Sequence, residues 1–387
     1  MSEITLSAYY NDKKNNHRTR ANILMLLLMP VVYIMLLGCP GRYIGGFIRT
    51  FSYFVPLVYF ILFGFFAFKP DRVRKRRLKR LTSSLWQALI VFAVMIVINT
   101  IVSLVYLSYT PTADNVFGFG YSVKHTIFDF LVLNIWPFHV GSGIWFVHSL
   151  VYAYLFFMLI EKLKLNKFYV PILIVLYIAL LATGEFAKFC GFPILSYPYI
   201  PGGAFTRAIP YMLIGMLLRK YIDNIPKIPQ YAYILTFLAG AFAVVLELAI
   251  LKYIGKYVYF GHTIGYAIMA ISLCCFTLAK PAKNKAKPGL LAKYAKKYTI
   301  RLYILCQPVA ILTWTISMLC SYRFGTPLIY AYTKSYSFAI SFVISLIITI
   351  LISLIKKLFV IISLRFSKRK FMKFIYKILT FDPAKNT

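Results

Sequence analysis

The sequence predicts an all-α, polytopic integral membrane protein with about ten transmembrane helices and both termini cytoplasmic. Three observations carry this. First, 60% of the 387 residues are apolar and mean hydropathy is +0.74, whereas soluble domains hold about 45–50% apolar residues. Second, the apolar residues gather in runs near the roughly 20 residues that a helix needs to cross about 30 Å of hydrocarbon. Third, the 44 Lys and Arg, set against 10 acidic residues for a net charge of +34, cluster between those runs. On a soluble chain such charge would point to nucleic acid. Interleaved with apolar spans it follows topology and anionic lipid headgroups instead, so membrane lipids are the expected partners and nucleic acid is not.

Residues 1–20 are polar, show no signal-peptide cleavage pattern, and predict a cytoplasmic N-terminus. The first apolar span then serves as the uncleaved insertion signal. Apolar spans follow at roughly 21–40, 51–68, 85–108, 143–160, 168–183, 204–218, 231–251, 261–279, 302–320 and 337–355. The positive-inside rule tests this count. With the N-terminus inside, segments 1–20, 69–82, 161–167, 219–230, 280–301 and 356–387 carry four, eight, three, three, eight and nine Lys or Arg, thirty-five of the 44. One transmembrane domain over 21–355 is expected, followed by a basic tail at 356–387 that reads as an amphipathic helix on the inner leaflet.

The inner loop 71–80 (DRVRKRRLKR) and the lysine-rich 280–301 read as solvated, lipid-facing basic turns. On the outer side, 109–142 holds an apolar stretch, 126–139, too short to cross; it reads as re-entrant or interfacial. The loops 184–203, with Glu185 and Lys188, and 321–336, with four tyrosines, complete that face. The six cysteines (Cys39, Cys190, Cys274, Cys275, Cys306, Cys320) show no zinc or redox spacing, and no metal site is expected.

Ionisable groups inside spans are costly and therefore mark candidate sites. They are His148, Arg207, Glu247 and, at a span edge, His262. The segment 141–160 (GSGIWFVHSLVYAYLFFMLI) places His148 near its outer end, where an imidazole suits a general base. Arg207 opens the sixth span, and its planar fork suits a phosphate, carboxylate or glycan oxygen. Trp145 and the outer-loop His139 join it as expected substrate-binding residues. Glu247 is a candidate acid, with a structural ion pair to Lys252 or Lys256 as the competing expectation. His148 and Arg207 also have plain readings, as a core histidine and an interfacial anchor.

Several stretches, in order, resemble acyltransferase family 3, the bacterial membrane O-acyltransferases of surface polysaccharides. They are FSYFVPLVYFILFGFF (51–66), RLKRL (77–81) leading to Trp86, GSGIWFVHSLVYAYL (141–155), FTRAIPYMLIGMLLRKY (205–221) and YTIRLYILCQPV (298–309). Each is weakly specific; their order and spacing give the match its value. The resemblance implies a multi-pass inner-membrane enzyme that moves an acyl group, acetyl above all, from cytoplasmic acyl-CoA to a hydroxyl of an envelope glycan or lipid-linked sugar. The chain departs from the family pattern in its first span. Asn22 and Met25 stand where Asp and Arg are expected, and the usual first-helix histidine is missing. A later family histidine falls on Cys306. That thiol becomes a candidate acyl acceptor, since sulfur is intrinsically nucleophilic, although burial in an apolar span would leave it inert.

Three functional classes remain open. One is an O-acyltransferase with catalytic groups drawn from His148, Cys306 and Glu247. Another is a catalytically lapsed relative serving polysaccharide export or assembly. The last is an unrelated transporter, which would call for paired intramembrane charges or broken helices in repeated halves, features the sequence does not display.

Overall fold

The computed structural model describes residues 17–38, 40, 44–68, 74–108, 143–183, 186, 190, 207–221, 228–255, 263–279 and 290–365. Among the described residues all regular structure is helical. The helices are α1 His17–Leu37 and α2 Gly45–Ala67, α3 Arg74–Ser108, α4 Ile144–Lys162, α5 Tyr169–Thr183 and α6 Ile209–Tyr221. They continue as α7 Gln230–Tyr253, α8 Ile264–Leu278, α9 Leu290–Phe324, α10 Pro327–Ser335 and α11 Ser337–Arg365. Seven of these are long and apolar enough to cross a membrane, and α5 and α8 are shorter apolar helices. This is the build of a multi-pass membrane protein. Over the described residues, each expected apolar span falls on a helix.

Helix α2 is the axis of the bundle. Every residue from Phe54 to Leu62 is buried, so the helix is enclosed all round by neighbours. It packs most extensively against α6, and also against α8. The α2–α6 crossing is made at two glycines. A Cβ on Gly64 would run into the Met212 backbone, and one on Gly215 into the Ile61 carbonyl. In lipid, where helix association depends on close packing, small residues at the crossing let backbones touch. A second glycine crossing joins α7 to α8, where a Cβ on Gly265 would lie 2.6 Å from the Gly240 carbonyl oxygen.

Helix α11 lies against α9 and α1. Ser337, Ser341, Ser345, Thr349 and Ser353 recur every fourth residue, share one face and are all buried. This narrow seam admits Tyr33 of α1, whose hydroxyl donates to the Leu302 carbonyl of α9 (2.7 Å) and whose ring meets Phe342 edge-on (5.3 Å).

The basic stretch 71–80 is not a solvated turn over its described part. From Arg74 onward it is the first two turns of α3, and it is bolted to the end of α4. Arg77 pairs with the buried Glu161 carboxylate (3.0 Å), which also accepts from the Tyr169 hydroxyl (3.1 Å). Arg74 donates to the Glu161 and Lys162 carbonyls (2.8 and 2.5 Å), satisfying two of the acceptors that a helix C-terminus leaves open. Three further boundaries move in the same direction. Helix α1 is already helical at His17 and α9 at Leu290, and α11 runs unbroken to Arg365, past the expected tail boundary at 356. Within the loop 321–336, residues Pro327–Ser335 form α10.

Candidate functional site

The first turns of α1, α3 and α9 and the last turns of α2 and α6 meet at one end of the bundle. Phe65 of α2 marks the meeting point: His17 approaches its ring at 6.0 Å and the Arg219 guanidinium lies over it at 5.0 Å. A cavity of about 300 Å³ opens among these helices. Three arginines line its charged end: Arg18 of α1, Arg80 of α3 and Arg219 of α6. Asn22, Ser83, Ser84, Gln87 and Thr299 add neutral hydrogen-bonding groups, while Met25, Met29, Leu62 and Phe63 make the remainder apolar.

The inner wall is held by tyrosine hydroxyls that reach backbone carbonyls. Tyr59 donates to the Met25 carbonyl (2.6 Å), fixing α2 to α1. Tyr303 donates to the Gly143 carbonyl (2.6 Å), and the Gly143 N–H donates to Gln307 Oε1 (2.9 Å), fixing α9 to the start of α4. Phe146 fills the space between them, against Phe60 (4.5 Å) and Tyr303 (5.5 Å). No His, Cys, Asp or Glu is among the described residues lining the cavity. Its cationic forks suit an anionic head and its apolar remainder an apolar body.

The sequence-predicted residues divide between this cavity and other places. His148 is 3% exposed on α4, but Phe146, Val147, Leu150 and Tyr154 of that helix line the cavity, not His148. Its ring stacks on Phe92 of α3 (5.0 Å, 15° between planes) and tilts against Tyr152. Cys306 is fully buried in α9, one turn beyond Tyr303, and does not line the cavity either.

Glu247 is engaged by backbone groups, with no ion pair to Lys252, while Lys256 lies outside the described residues. Its carboxylate accepts from the N–H groups of Ile264 (3.0 Å) and Gly265 (3.1 Å), the open N-terminus of α8. A carboxylate there satisfies orphan donors and faces the positive end of the helix dipole. Arg207 and Trp145 do come together: the guanidinium lies 5.3 Å from the indole centroid. Arg207 and Glu247 both lie within electrostatic reach of the Tyr211 hydroxyl, which is bonded to Tyr177. His139, His262, Glu185 and Lys188 lie outside the described residues.

The arrangement also contains what the sequence reading missed. His17 falls in the stretch expected to be a polar N-terminus, yet it is 6% exposed in the first described turn of α1. Arg18, Arg80 and Arg219 each read as topological charge at a span end. Only their convergence from three helices marks them, and no local motif carries that signal. Among the described residues no group of three His, Cys, Asp or Glu is placed to hold a metal. No family model, curated protein or solved structure matches the chain.

Proposed function

We propose that the chain is an O-acyltransferase of the cell inner (plasma) membrane, moving an acetyl or similar acyl group from acyl-CoA to a hydroxyl of an envelope polysaccharide or lipid-linked sugar. The observation that carries this reading is the cavity, charged at one end with three arginines and apolar beyond. Acyl-CoA has that polarity: phosphates at one end, an extended arm and a thioester at the other. In this reading the helices make ten crossings with both termini cytoplasmic. The arginine end, which falls on the side holding thirty-five of the 44 Lys and Arg, then faces the cytoplasmic donor pool. Arg18, Arg80 and Arg219 hold phosphate. Met25, Met29, Leu62 and Phe63 exclude water from the arm. Arg207 and Trp145, at the opposite end of α6 from Arg219, offer a cation and an aromatic face to a sugar. In the transfer the thioester C–S bond breaks, the acyl C–O bond forms, and the acceptor's proton leaves with a base or with the thiolate.

One observation favours a second reading. The described cavity lining holds no imidazole, thiol or carboxylate, as expected of a catalytically lapsed relative that keeps the binding site and serves glycan export or assembly. One experiment separates the two. Surface-glycan O-acetylation and glycan amount are compared in the wild type, a deletion strain and Arg80→Gln, and purified protein is assayed with labelled acetyl-CoA and acceptor. The enzyme reading expects acetylation to vanish in the deletion strain, and Arg80→Gln to raise KM for acetyl-CoA about tenfold or more, the worth of one charged hydrogen bond. Unchanged acetylation in the deletion strain would sink it. Loss of surface glycan with no transfer by the purified protein would select the lapsed relative.

A further inference from the structure

On the side of α9 that faces α11, the start of α9 and the end of α11 run antiparallel and bring cations together. Arg301 Nη1 donates to Ser353 Oγ (2.8 Å) and to the Thr349 carbonyl (3.4 Å), which ties its guanidinium to the α11 side. Two turns earlier on α9, Tyr294 and Tyr298 stack at 5.5 Å with 26° between planes. Lys357 Nζ sits 6.0 Å from the Tyr294 centroid. Lys297 lies one turn before Arg301 on the same face of α9. Neither helix carries a single acidic residue. The two acidic residues in described helices, Glu161 and Glu247, are bonded elsewhere.

Toward the middle of α11 the helix surface is apolar and open: Ile347, Leu351 and Leu354 are 51%, 50% and 53% exposed. Cations and tyrosines followed by exposed aliphatic side chains is the order met at a bilayer surface, where headgroup and acyl chain follow one another. Long cationic side chains near a helix end rise to that level. We propose that this cluster is a binding site for the phosphate of an anionic phospholipid headgroup, held by Arg301, Lys297 and Lys357, with its acyl chains against Leu351 and Leu354. It is independent of the acyl-transfer reading, since these three cations lie outside the cavity lining.

The test uses full-length protein in nanodiscs of phosphatidylcholine with rising fractions of phosphatidylglycerol, reading the thermal midpoint and the lipid retained in native mass spectra. Phosphatidylglycerol is expected to raise the midpoint and to be retained as a discrete adduct. The pair Lys297→Gln and Lys357→Gln, chosen because Arg301 also joins the two helices, is expected to weaken retention about fivefold per charge removed. The control pair Lys164→Gln and Lys167→Gln, both exposed at the turn after α4, leaves it unchanged. Equal retention in wild type and the first pair overturns the proposal, as does equal loss in the control pair. Stabilisation by inorganic phosphate alone, in phosphatidylcholine discs, also overturns it by showing a free-anion site.

Discussion

Glu161 and Glu247 are the two acidic residues of the described helices, and the bundle neutralises them by different means. Glu161 ends α4, is 2% exposed, and faces a full positive charge on Arg77 from a helix 84 residues earlier. Glu247 ends no helix, lies half-buried on α7, and faces two amide N–H groups of α8 only 17 and 18 residues on. One pair joins two charges that are each costly to bury alone. The other sets a charge against the fractional dipole of a helix terminus. Removing a partner leaves a stranded charge in the first case and unsatisfied donors in the second.

That difference orders the expected effects. Arg77→Met should be the most damaging change, lowering stability by about 3–5 kcal/mol in a denaturant titration in detergent, because Glu161 is left buried and charged. Adding Glu161→Leu should return most of the loss, since replacing both partners removes the stranded charge. If the double variant is no more stable than the single one, the ion pair does more than neutralise itself. Glu247→Ala should cost less, about 1–3 kcal/mol, through two amides that lose their acceptor. Glu247→Gln, which keeps an acceptor oxygen, should recover part of it. A loss as large as that of Arg77→Met would erase the distinction between the two carboxylates. The smallest effect is expected where a charge meets only an aromatic face. A double-mutant cycle on Arg207→Gln and Trp145→Leu should give a coupling of about 0.5–1 kcal/mol, and none at all would remove Trp145 as the orienting partner of Arg207.

Each of the ten apolar segments contains a helix, seven of them long and apolar enough to cross a membrane, because backbone satisfaction in lipid favours helix. The sequence misplaced their ends because hydropathy reports the length in contact with hydrocarbon, whereas Lys, Arg and Ala are good helix formers that carry α3 and α9 beyond it. Which way a helix faces was not legible. Helix α2 is 72% buried over its most apolar window, with hydropathy 1.8, while α7 is 17% buried with hydropathy 2.5. Lipid is as apolar as a protein core, so the most enclosed helix need not be the most hydrophobic. For the same reason nothing in residues 141–160 told that His148 would turn toward Phe92 while Val147 and Leu150 turned toward the cavity.

By itself the sequence determined the solvent: a membrane, matched by apolar helices with cationic stretches between them. Gly64 and Gly215 lie in the stretches 51–66 and 205–221, but the backbone contact that requires them is visible only in the structure. Only the tertiary structure decided what the charges do. Arg77 bonds Glu161 and Glu247 caps α8, while Arg18, Arg80 and Arg219 converge on one cavity. The physical reason is range. A helix-forming tendency is settled over a few turns, but a charge finds its partner across the bundle, where spacing along the chain carries no information.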